Sequence, residues 1–500
     1  MRVDSTTQRH LKNSVAAVVL ALCLMTMPAL AEAPVSSGGT AVAIMQASAA
    51  TQSGDCQAAM APLNQLWHDP YLEQNDPKLA AQFRFQLIAC TAQTQGIPAA
   101  LALSTENVSR AYDINAYDLH IFLQLISGKT NEATATLDAA LTRFPAQAPD
   151  LTDMSVIGVL VANREAKPDI AQAMLNRLED GRWQIHDVSG RPLMGLLRLE
   201  GLRASVKAGD TVHADLYRAD LKTDTLFYIV SQGDGDISPA GVPADPVRPV
   251  LNREIEEVKA VITANPANLM ALSYLMNLES TNDQNALALT QLNGILELVD
   301  KYGLDKFSSP DSYPGLLTTR AELYARLGRY LDAGKAYETG ATALGPGKSV
   351  DLLLSYMNFL VDRGQQQAGL AVMNRIIAPD ETQKATLVVT LACAQGYAGD
   401  KAGFAANMAA LAGQNLMQVK PYLCAGDSDN AAKAMIAAMT DPATRDTMIA
   451  FMQQGLPPIS VGDRDDVFIA SLIALKTRPD VLAAATASHI VVRQWPVRLN

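Results

Sequence analysis

Small and aromatic residues recur at helical spacings in the middle of the chain, and this pattern constrains the fold more than any other feature of the sequence. Between residues 311 and 347, Gly328 separates two stretches whose apolar residues repeat every three or four positions. Glycine ends a helix at low cost because it readily takes the left-handed conformation that follows many helices. The pattern therefore predicts two antiparallel helices joined by a short turn. The recurring positions are Tyr324, Gly328, Tyr330, Ala333, Tyr337 and Gly340.

A second segment of the same kind lies at 117–145, and weaker copies accompany both segments in phase. Its turn, small, large, small and terminating positions are Gly128, Ala133, Leu137, Ala140 and Pro145. Further alanines continue the phase at intervals of 30 to 35 residues, namely Ala99 before Ala133, and Ala368, Ala402 and Ala432 after Ala333. A period in this range is typical of stacked helical units, each of which buries its apolar face against the next.

These motifs resemble the tetratricopeptide repeat (TPR), a helix–turn–helix unit of about 34 residues. The resemblance implies an all-α fold, an α-solenoid of TPR-like helical hairpins in two halves joined by a Gly/Pro-rich loop. The composition agrees with a helical core. Aromatic residues make up only 5% of the chain, whereas sheets favour more of them.

The resemblance also implies a ligand groove, because the first helices of TPR units line a groove that holds peptides. Transferred position by position, the groove residues are Asp118, Phe122, Leu125, Thr318, Glu322, Arg326, Leu353, Met357 and Leu360. Two of the three groups are largely apolar, which suits an extended or helical segment of another protein. The alternative is that these side chains are buried by packing between repeats or against the other half of the chain.

Breaks in the pattern divide the chain into segments. We predict a signal peptide at 1–31, a flexible segment at 32–53, N-terminal helical repeats at 54–165, an irregular helical segment with a Gly/Pro-rich loop at 166–250, C-terminal TPR-like repeats at 251–440 and capping helices at 441–500. Around 211–230 the pattern fits a helix or a strand, whereas the glycines and prolines of 231–249 exclude regular structure. Residues 466–476 are apolar on one side and are predicted to cap the open end of the solenoid.

The first 31 residues have the three parts of a secretory signal. Three basic residues precede an apolar run, and a small-x-small site ends at Ala31, just before Glu32. The run is shorter than the ~20 residues that span a bilayer. Cys23 lies inside this run and follows a leucine, so lipidation is the less favoured alternative. We therefore expect a soluble chain that is periplasmic or secreted in a bacterium, without a transmembrane segment after cleavage.

The cysteines that follow the signal form two local groups about 300 residues apart. Cys56 precedes Cys90, and Cys393 precedes Cys424, each pair being separated by roughly one repeat period. An even number of cysteines in an oxidising compartment indicates disulfides. Metal binding would favour closely spaced pairs, which are absent from the sequence. We predict two structural disulfides, each stapling neighbouring helices.

Charge and polar motifs favour neither nucleic acid nor a metal as a partner. The formal net charge is −11, and an acidic chain is repelled by phosphate backbones. Asp234-Gly235-Asp236 suggests a calcium loop, but Asp245 stands where the loop pattern needs a closing glutamate. We interpret this motif as a solvated turn.

No catalytic constellation stands out in the sequence. The histidines are scattered singly, and His120 lies within an apolar helix, where a structural role is commoner than a catalytic one. Nucleophile and phosphate-loop motifs are absent from the sequence. We therefore predict no catalytic residues, no metal site and no cofactor, and a chain that is not an enzyme.

The function that this pattern favours is a non-enzymatic, protein-binding scaffold of the bacterial cell envelope, whose partners are other envelope proteins or peptides. One alternative is a protein that handles envelope polysaccharide or assists secretion and assembly. Another is an enzyme with an unrecognised site in 180–250. The low number of tryptophans, 3 in the whole chain, disfavours a glycan-binding groove.

Overall fold

The computed structural model describes residues 38–186, 188–238 and 246–499. The chain forms two compact units, an N-terminal unit that ends at Leu216 and a C-terminal unit that begins at Tyr217. The predicted signal peptide, Cys23 and the residues 239–245 of the Gly/Pro-rich segment lie outside the described residues. The boundary between the units lies upstream of the Gly/Pro-rich segment, which the sequence predicts as the junction.

Helices make up nearly all of the N-terminal unit. They are α1 (Gly38–Gln52), α2 (Cys56–Leu66), α3 (Pro70–Asn75), α4 (Pro77–Thr94), α5 (Ile97–Ser109), α6 (Asn115–Ile126), α7 (Thr130–Arg143), α8 (Asp153–Arg164), α9 (Pro168–Asp180), α10 (Arg191–Ala208) and α11 (Thr211–Leu221), which contains the boundary. Short 3₁₀ helices lie at Pro145–Asp150 and Val188–Gly190. Antiparallel hairpins α4/α5, α6/α7 and α8/α9 follow one another, and their first helices α4, α6 and α8 pack side by side.

The C-terminal unit continues with the same architecture. Its elements are α12 (Thr225–Gly233), α13 (Val247–Ala264), α14 (Leu269–Thr281), α15 (Asn285–Tyr302), α16 (Tyr313–Arg326), α17 (Tyr330–Leu344), α18 (Val350–Asp362), α19 (Gln366–Met373), α20 (Glu381–Ala398), α21 (Lys401–Ala410), α22 (Asn415–Cys424), α23 (Ser428–Thr440), α24 (Arg445–Met452), β1 (Gln454–Leu456), α25 (Asp463–Lys476), α26 (Pro479–Ala487) and β2 (Gln494–Arg498), with 3₁₀ helices at Leu304–Lys306 and Pro310–Ser312. The first helices α14, α16, α18, α20 and α22 of five successive hairpins pack side by side.

This arrangement confirms the all-α prediction and the stacking of hairpins that the repeat period predicts. Small residues make the packing close. Ala133 and Ala333 have no exposed surface. A methyl group built on Gly340 of α17 would lie 2.7 Å from Leu352 of α18. In these two hairpins the second helix is therefore buried against its own first helix and against the next hairpin.

Two disulfides join neighbouring helices. Cys56 at the start of α2 is bonded to Cys90 on α4, and Cys393 on α20 is bonded to Cys424 at the end of α22. All four side chains are buried. The second bond joins the first helices of successive hairpins, so it holds the last two repeats of the array together.

The structure corrects the predictions for two irregular segments and decides between the alternatives for a third. Residues 38–52, predicted to be flexible, form α1, because Ala43, Ile44 and Ala47 are buried against α2. The stretch around 211–230, which the sequence left open between helix and strand, is helical. Regular structure resumes at Val247, where Pro249 stands in the first turn of α13, a position that does not require the missing N–H.

The C-terminal segment joins the end of the C-terminal unit to its beginning. After α23, helix α24 packs on α12, and the parallel strands β1 and β2 pair with each other. Strand β2 also contacts α13 and α14. Gln453, which is buried, accepts hydrogen bonds from the Trp495 indole at 3.2 Å and from the Arg493 backbone at 3.2 Å. The capping segment therefore contacts the first helices of the unit as well as its last hairpin.

The Asp-Gly-Asp motif is part of this closure rather than a solvated turn. Arg445 donates hydrogen bonds to Asp234 at 2.9 Å and to Asp236 at 2.8 Å. The His489 ring pairs with Asp236 at 2.5 Å. Gly235 donates its backbone N–H to the His489 carbonyl at 2.7 Å, and a side chain there would collide with that carbonyl. The motif thus binds the C-terminal segment of the same chain.

Replacement of Gly396 by valine should destabilise the last two hairpins. A methyl group on Gly396 of α20 would lie 3.0 Å from the backbone nitrogen of Ala425, so a larger side chain must push α20 away from α22. We expect a loss of about 1–3 kcal/mol, seen as faster hydrogen exchange in α20–α23. The matched control is Gly294→Val in α15, where nothing lies within 4 Å, and exchange there should not accelerate. Equal effects of the two substitutions would contradict close packing at Gly396.

Candidate polypeptide-binding face

Most of the groove residues predicted from the TPR resemblance lie inside the protein. Five of them are buried, namely Asp118, Phe122, Leu353, Met357 and Leu360. The remaining four, Leu125, Thr318, Glu322 and Arg326, are half-buried. The first helices pack so closely that the apolar positions facing the supposed groove become interhelical contacts, which is the alternative that the sequence left open. Only for the four half-buried positions does a ligand groove stay a prediction.

Asp118 has a structural environment. Its carboxylate accepts hydrogen bonds from the backbone N–H and the hydroxyl of Thr152, both at 3.0 Å, at the start of α8. The Ser155 hydroxyl donates to the Asp118 backbone carbonyl. Burial raises the pKa of Asp118, and these hydrogen bonds oppose that effect. Asp118 therefore joins the first helices of two successive hairpins.

Glu322 and Arg326 lie on one face of α16. Arg326 donates a hydrogen bond to the Ser280 hydroxyl on α14. Burial raises the pKa of Glu322, and the positive charge of Arg326 lowers it in part. The Glu322 charge in turn raises the pKa of the buried Tyr337, after the larger effect of burial. This pair belongs to the interface between hairpins.

A surface further along the array contacts an extended segment of the same chain. We use the term strap for residues 457–476, which comprise an extended stretch and helix α25. The strap crosses the side chains of Tyr330, Asp362, Arg363, Tyr397 and Lys420, which we call the receiving face. These side chains come from α17, α18, α20 and α22, so the strap runs over three successive hairpins and reaches a fourth.

The extended stretch of the strap is held through its backbone carbonyls. The Tyr330 hydroxyl donates to the carbonyl of Ser460 at 3.4 Å, and the Arg363 guanidinium donates to the carbonyl of Val461 at 3.2 Å. The guanidinium also lies 4.1 Å from the centre of the Tyr330 ring. Gly462 passes close to Arg363, since a methyl group in place of its hydrogen would lie 3.3 Å from the Arg363 Cα. Contacts of this kind recognise an extended chain with little regard to its side chains.

The helical part of the strap begins with two side-chain contacts. Arg464 lies over the ring of Tyr397, with 5.5 Å to its centre, and Lys420 lies 5.5 Å from the centre of the Phe468 ring. Tyr397 and Phe468 pack against the buried Cys393–Cys424 disulfide. The disulfide that joins α20 to α22 therefore also supports the surface on which the strap rests.

Polar groups beneath the strap are incompletely paired. Asp362 accepts hydrogen bonds on Oδ2 from Lys420 and from Asn358, both at 3.1 Å. Its Oδ1 atom and the Tyr397 hydroxyl are buried without a hydrogen-bond partner among the described residues. An unpaired buried polar group costs about 1–3 kcal/mol. The strap thus leaves part of the receiving face unsatisfied.

One of the three acidic side chains of the strap is poorly matched to this place. Asp465 accepts a hydrogen bond from the Val461 backbone N–H at 2.9 Å, which fixes the start of α25. Burial raises the pKa of Asp465, and the negative charge of Asp362 raises it further. The same two carboxylates, after the effect of burial, raise the pKa of Tyr397. Two carboxylates therefore influence each other where the strap crosses α18 and α20, and the Lys420 ammonium, which is paired with Asp362, offsets part of that effect.

The strap is shallowly buried compared with the hairpins. Within 457–476, all of which the structure describes, Leu475 is the one buried residue. Val467 and Ile473 of α25 are 58% and 48% exposed. Because burial of apolar surface is the main favourable term in packing, the strap gains less from docking than a repeat helix does.

A buried serine–histidine pair in the N-terminal unit is structural. The Ser104 hydroxyl lies 2.7 Å from Nδ1 of His120, and the Gln124 amide nitrogen lies 2.9 Å from Nε2. The Ser104 hydroxyl also donates to the Leu101 carbonyl at 2.9 Å. Burial lowers the pKa of His120, which favours the neutral imidazole.

Neither a metal cluster nor a membrane span is found in the described part of the chain. Across 38–186, 188–238 and 246–499, no three His, Cys, Asp or Glu side chains are grouped as metal ligands. In the same ranges no helix combines the length and the apolar character that a membrane span needs. Residues 180–250, where the sequence leaves room for an enzyme site, hold α10–α12 and the start of α13 in their described part.

The receiving-face residues were missed by sequence reasoning. Tyr330 is one of the repeat-defining tyrosines, but the pattern assigns it to packing between helices. Arg363 and Lys420 are isolated charges near helix ends, where a solvated side chain is the usual outcome. A usable signal is the apolar side of 466–476, which predicts a partner surface somewhere in the fold.

Comparison with known proteins assigns neither a family nor a function to the chain. No family model matches the chain, and no curated protein matches it. A solved structure of the TPR domain of P58(IPK) is similar at 13% sequence identity and a TM-score of 0.20, covering 81% of this chain and 99% of that chain. The description of this chain as a TPR-like helical solenoid therefore rests on its own stacked hairpins.

Replacement of Lys476 by methionine should strengthen the attachment of the strap at neutral pH. Lys476 ends α25 over the Phe451 ring, and burial lowers its pKa to about 8 from 10.5. Because the folded state disfavours the protonated amine, wild-type stability is reduced below pH 8 and rises between pH 8 and 10.5. The shift corresponds to at most about 3 kcal/mol.

Hydrogen exchange of the strap amides, compared between wild type and Lys476→Met at each pH, checks this prediction. We expect the difference in protection to be largest below pH 8 and to shrink towards pH 10.5. Lys335→Met on the exposed side of α17 is the matched control and should show no such trend. A difference that is constant with pH would contradict the assigned pKa of Lys476.

Proposed function

We propose that this chain is an exported, non-enzymatic scaffold of the bacterial cell envelope that binds segments of other polypeptides through the receiving face. The observation that carries this proposal is that the receiving face already holds an extended stretch of polypeptide. Tyr330 and Arg363 engage consecutive backbone carbonyls of that stretch, a mode of recognition that any extended chain can satisfy.

Rigidity supports a role in binding. Five hairpins present their first helices in sequence, and the Cys393–Cys424 bond joins the last two. A surface that is fixed before binding loses little conformational entropy when a ligand arrives. The repeat array therefore provides a preformed site for a flexible segment of a partner.

Export is supported by two independent features. The first 31 residues have the pattern of a cleaved secretory signal. Both disulfides belong to the class of structural bonds that persist in oxidising compartments. Envelope proteins or peptides are the partners that such a location offers.

Site-specific photo-crosslinking tests the binding surface in living cells. A photoreactive phenylalanine analogue replaces Tyr330 or Tyr397 on the receiving face, and the matched control replaces Tyr302, which is 55% exposed on α15. We expect adducts with a discrete polypeptide at the first two positions and not at the third. The experiment is run in the wild-type chain and in an Arg363→Ala variant.

Two results would contradict the proposed function. One is equal adduct formation at all three positions in both backgrounds, and the other is the formation of glycan adducts alone at Tyr330 and Tyr397. The second result would favour the polysaccharide-handling alternative.

Export predicts a mature protein that begins at Glu32. The expected result is a periplasmic or secreted protein whose N-terminal sequence starts there, with the four remaining cysteines oxidised. An acylated N terminus at Cys23, detected by intact mass and by membrane association, would show a lipoprotein instead.

A further inference from the structure

We propose that the strap is an intramolecular ligand that covers the receiving face and yields it to a partner segment carrying a basic or amide side chain where the strap carries Asp465. This inference rests on the proposed function, since it assigns the regulation and the specificity of the same face. It concerns residues 457–476 and the five side chains of the receiving face.

The strap can detach while the rest of the unit stays folded, because the segments before and after it are held by contacts of their own. Before it, Gln454–Leu456 pairs with β2. After it, α26 packs on α23, and Arg478 donates to Asp429 at 2.9 Å. The strap itself has a single buried residue, Leu475, so little buried apolar surface is lost when 457–474 lifts away, and the hydrogen bond from Arg498 to the Pro457 carbonyl is broken.

The strap is also an imperfect ligand. It leaves Oδ1 of Asp362, a residue only 7% exposed, and the Tyr397 hydroxyl unpaired. The charge of Asp362 raises the pKa of Asp465, an effect that the nearby Lys420 ammonium, paired with Asp362 at 3.1 Å, opposes in part. A ligand that replaces Asp465 by a hydrogen-bond donor would remove this effect and could pair with Asp362 Oδ1.

These contacts define the partner's chemistry. Lys, Arg, Asn and Gln carry N–H donors, and a cation gains most beside a buried carboxylate. The carbonyl contacts of Tyr330 and Arg363 require only that the preceding residues be extended. An aromatic residue three positions later would take the place of Phe468 beside Lys420. The partner segment therefore consists of an extended stretch, a basic or amide-bearing residue after it, and an aromatic residue three positions later.

A locked and an opened form of the full chain test the inference. In the locked form, Arg363→Cys is combined with Gly462→Cys, because the Cβ atoms would lie 3.8 Å apart, a separation that a disulfide accepts. In the opened form, Arg464→Ala is combined with Phe468→Ala, which removes the strap's side-chain contacts with Tyr397 and Lys420 and leaves the receiving face intact. The single variants Arg363→Cys and Gly462→Cys are the matched controls, and Phe468→Ala alone is the mildest opening.

The probes are two fluorescein-labelled synthetic peptides. One has the strap sequence 457–476, and the other has the same sequence with Asp465→Lys. Thiol titration establishes closure of the engineered bond, and hydrogen exchange of residues 457–476 establishes whether the strap is released. Binding is measured by fluorescence anisotropy.

We expect the lysine peptide to bind the opened form at least ten times more tightly than the locked form, with wild type between them. We also expect it to bind the opened form more tightly than the unmodified peptide does. Equal affinity of the locked and opened forms would overturn the competition between strap and partner. Equal affinity of the two peptides would overturn the assigned chemistry at the Asp465 position.

Two outcomes distinguish the failure of this inference alone from the failure of the proposed function. If hydrogen exchange shows the strap free in the opened form and neither peptide binds, the receiving face is not a polypeptide receptor. In that case the proposed function fails as well. If instead both peptides bind the locked and opened forms equally, polypeptide binding survives and the role of the strap does not.

Discussion

Close approach between successive first helices is the constraint on which the C-terminal unit depends. At the interface of α20 and α22 the backbone of Ala425 comes so near to Gly396 that a methyl group would meet it at 3.0 Å. One turn earlier, Cys393 is bonded to Cys424 across the same interface. The disulfide and the glycine act together, because a covalent link of this length requires helices that are already close. The surface that carries Tyr397 and Lys420 is fixed as a consequence.

The sequence predicts the helical hairpins well because their determinants are local. Ala133, Ala333 and Ala432 lie on the second helices of their hairpins and are buried, as their spacing predicts. The phase is less exact at the other alanines, since Ala368 and Ala402 are exposed and Ala99 is half-buried. The adjacent Ala100 and Gly369 take the buried positions, Gly369 against Val361. A turn of slightly different length shifts a helix by one residue, and alanine spacing alone does not resolve such a shift.

The receiving face could not be predicted in the same way, since its contacts are not local. Tyr330 and Ser460 are separated by 130 residues, and Arg363 and Val461 by 98. Helical periodicity tells which side of a helix is apolar, but not which distant segment will cover it. The Asp-Gly-Asp motif illustrates the same point. Its residues are paired with Arg445 and His489, more than 200 residues away, so its local composition gives no indication of its role.

The two fixed ends of the strap have a consequence for any ligand that competes with it. A segment tethered on both sides stays near its site after release, at an effective concentration that is commonly millimolar for short flexible tethers. A partner with the same contacts would therefore be excluded at ordinary concentrations. The buried, unpaired Asp362 Oδ1 weakens the strap's own contact with the receiving face at one place. A ligand gains its advantage there, so the point where the strap fits worst is the point that determines which partner can replace it.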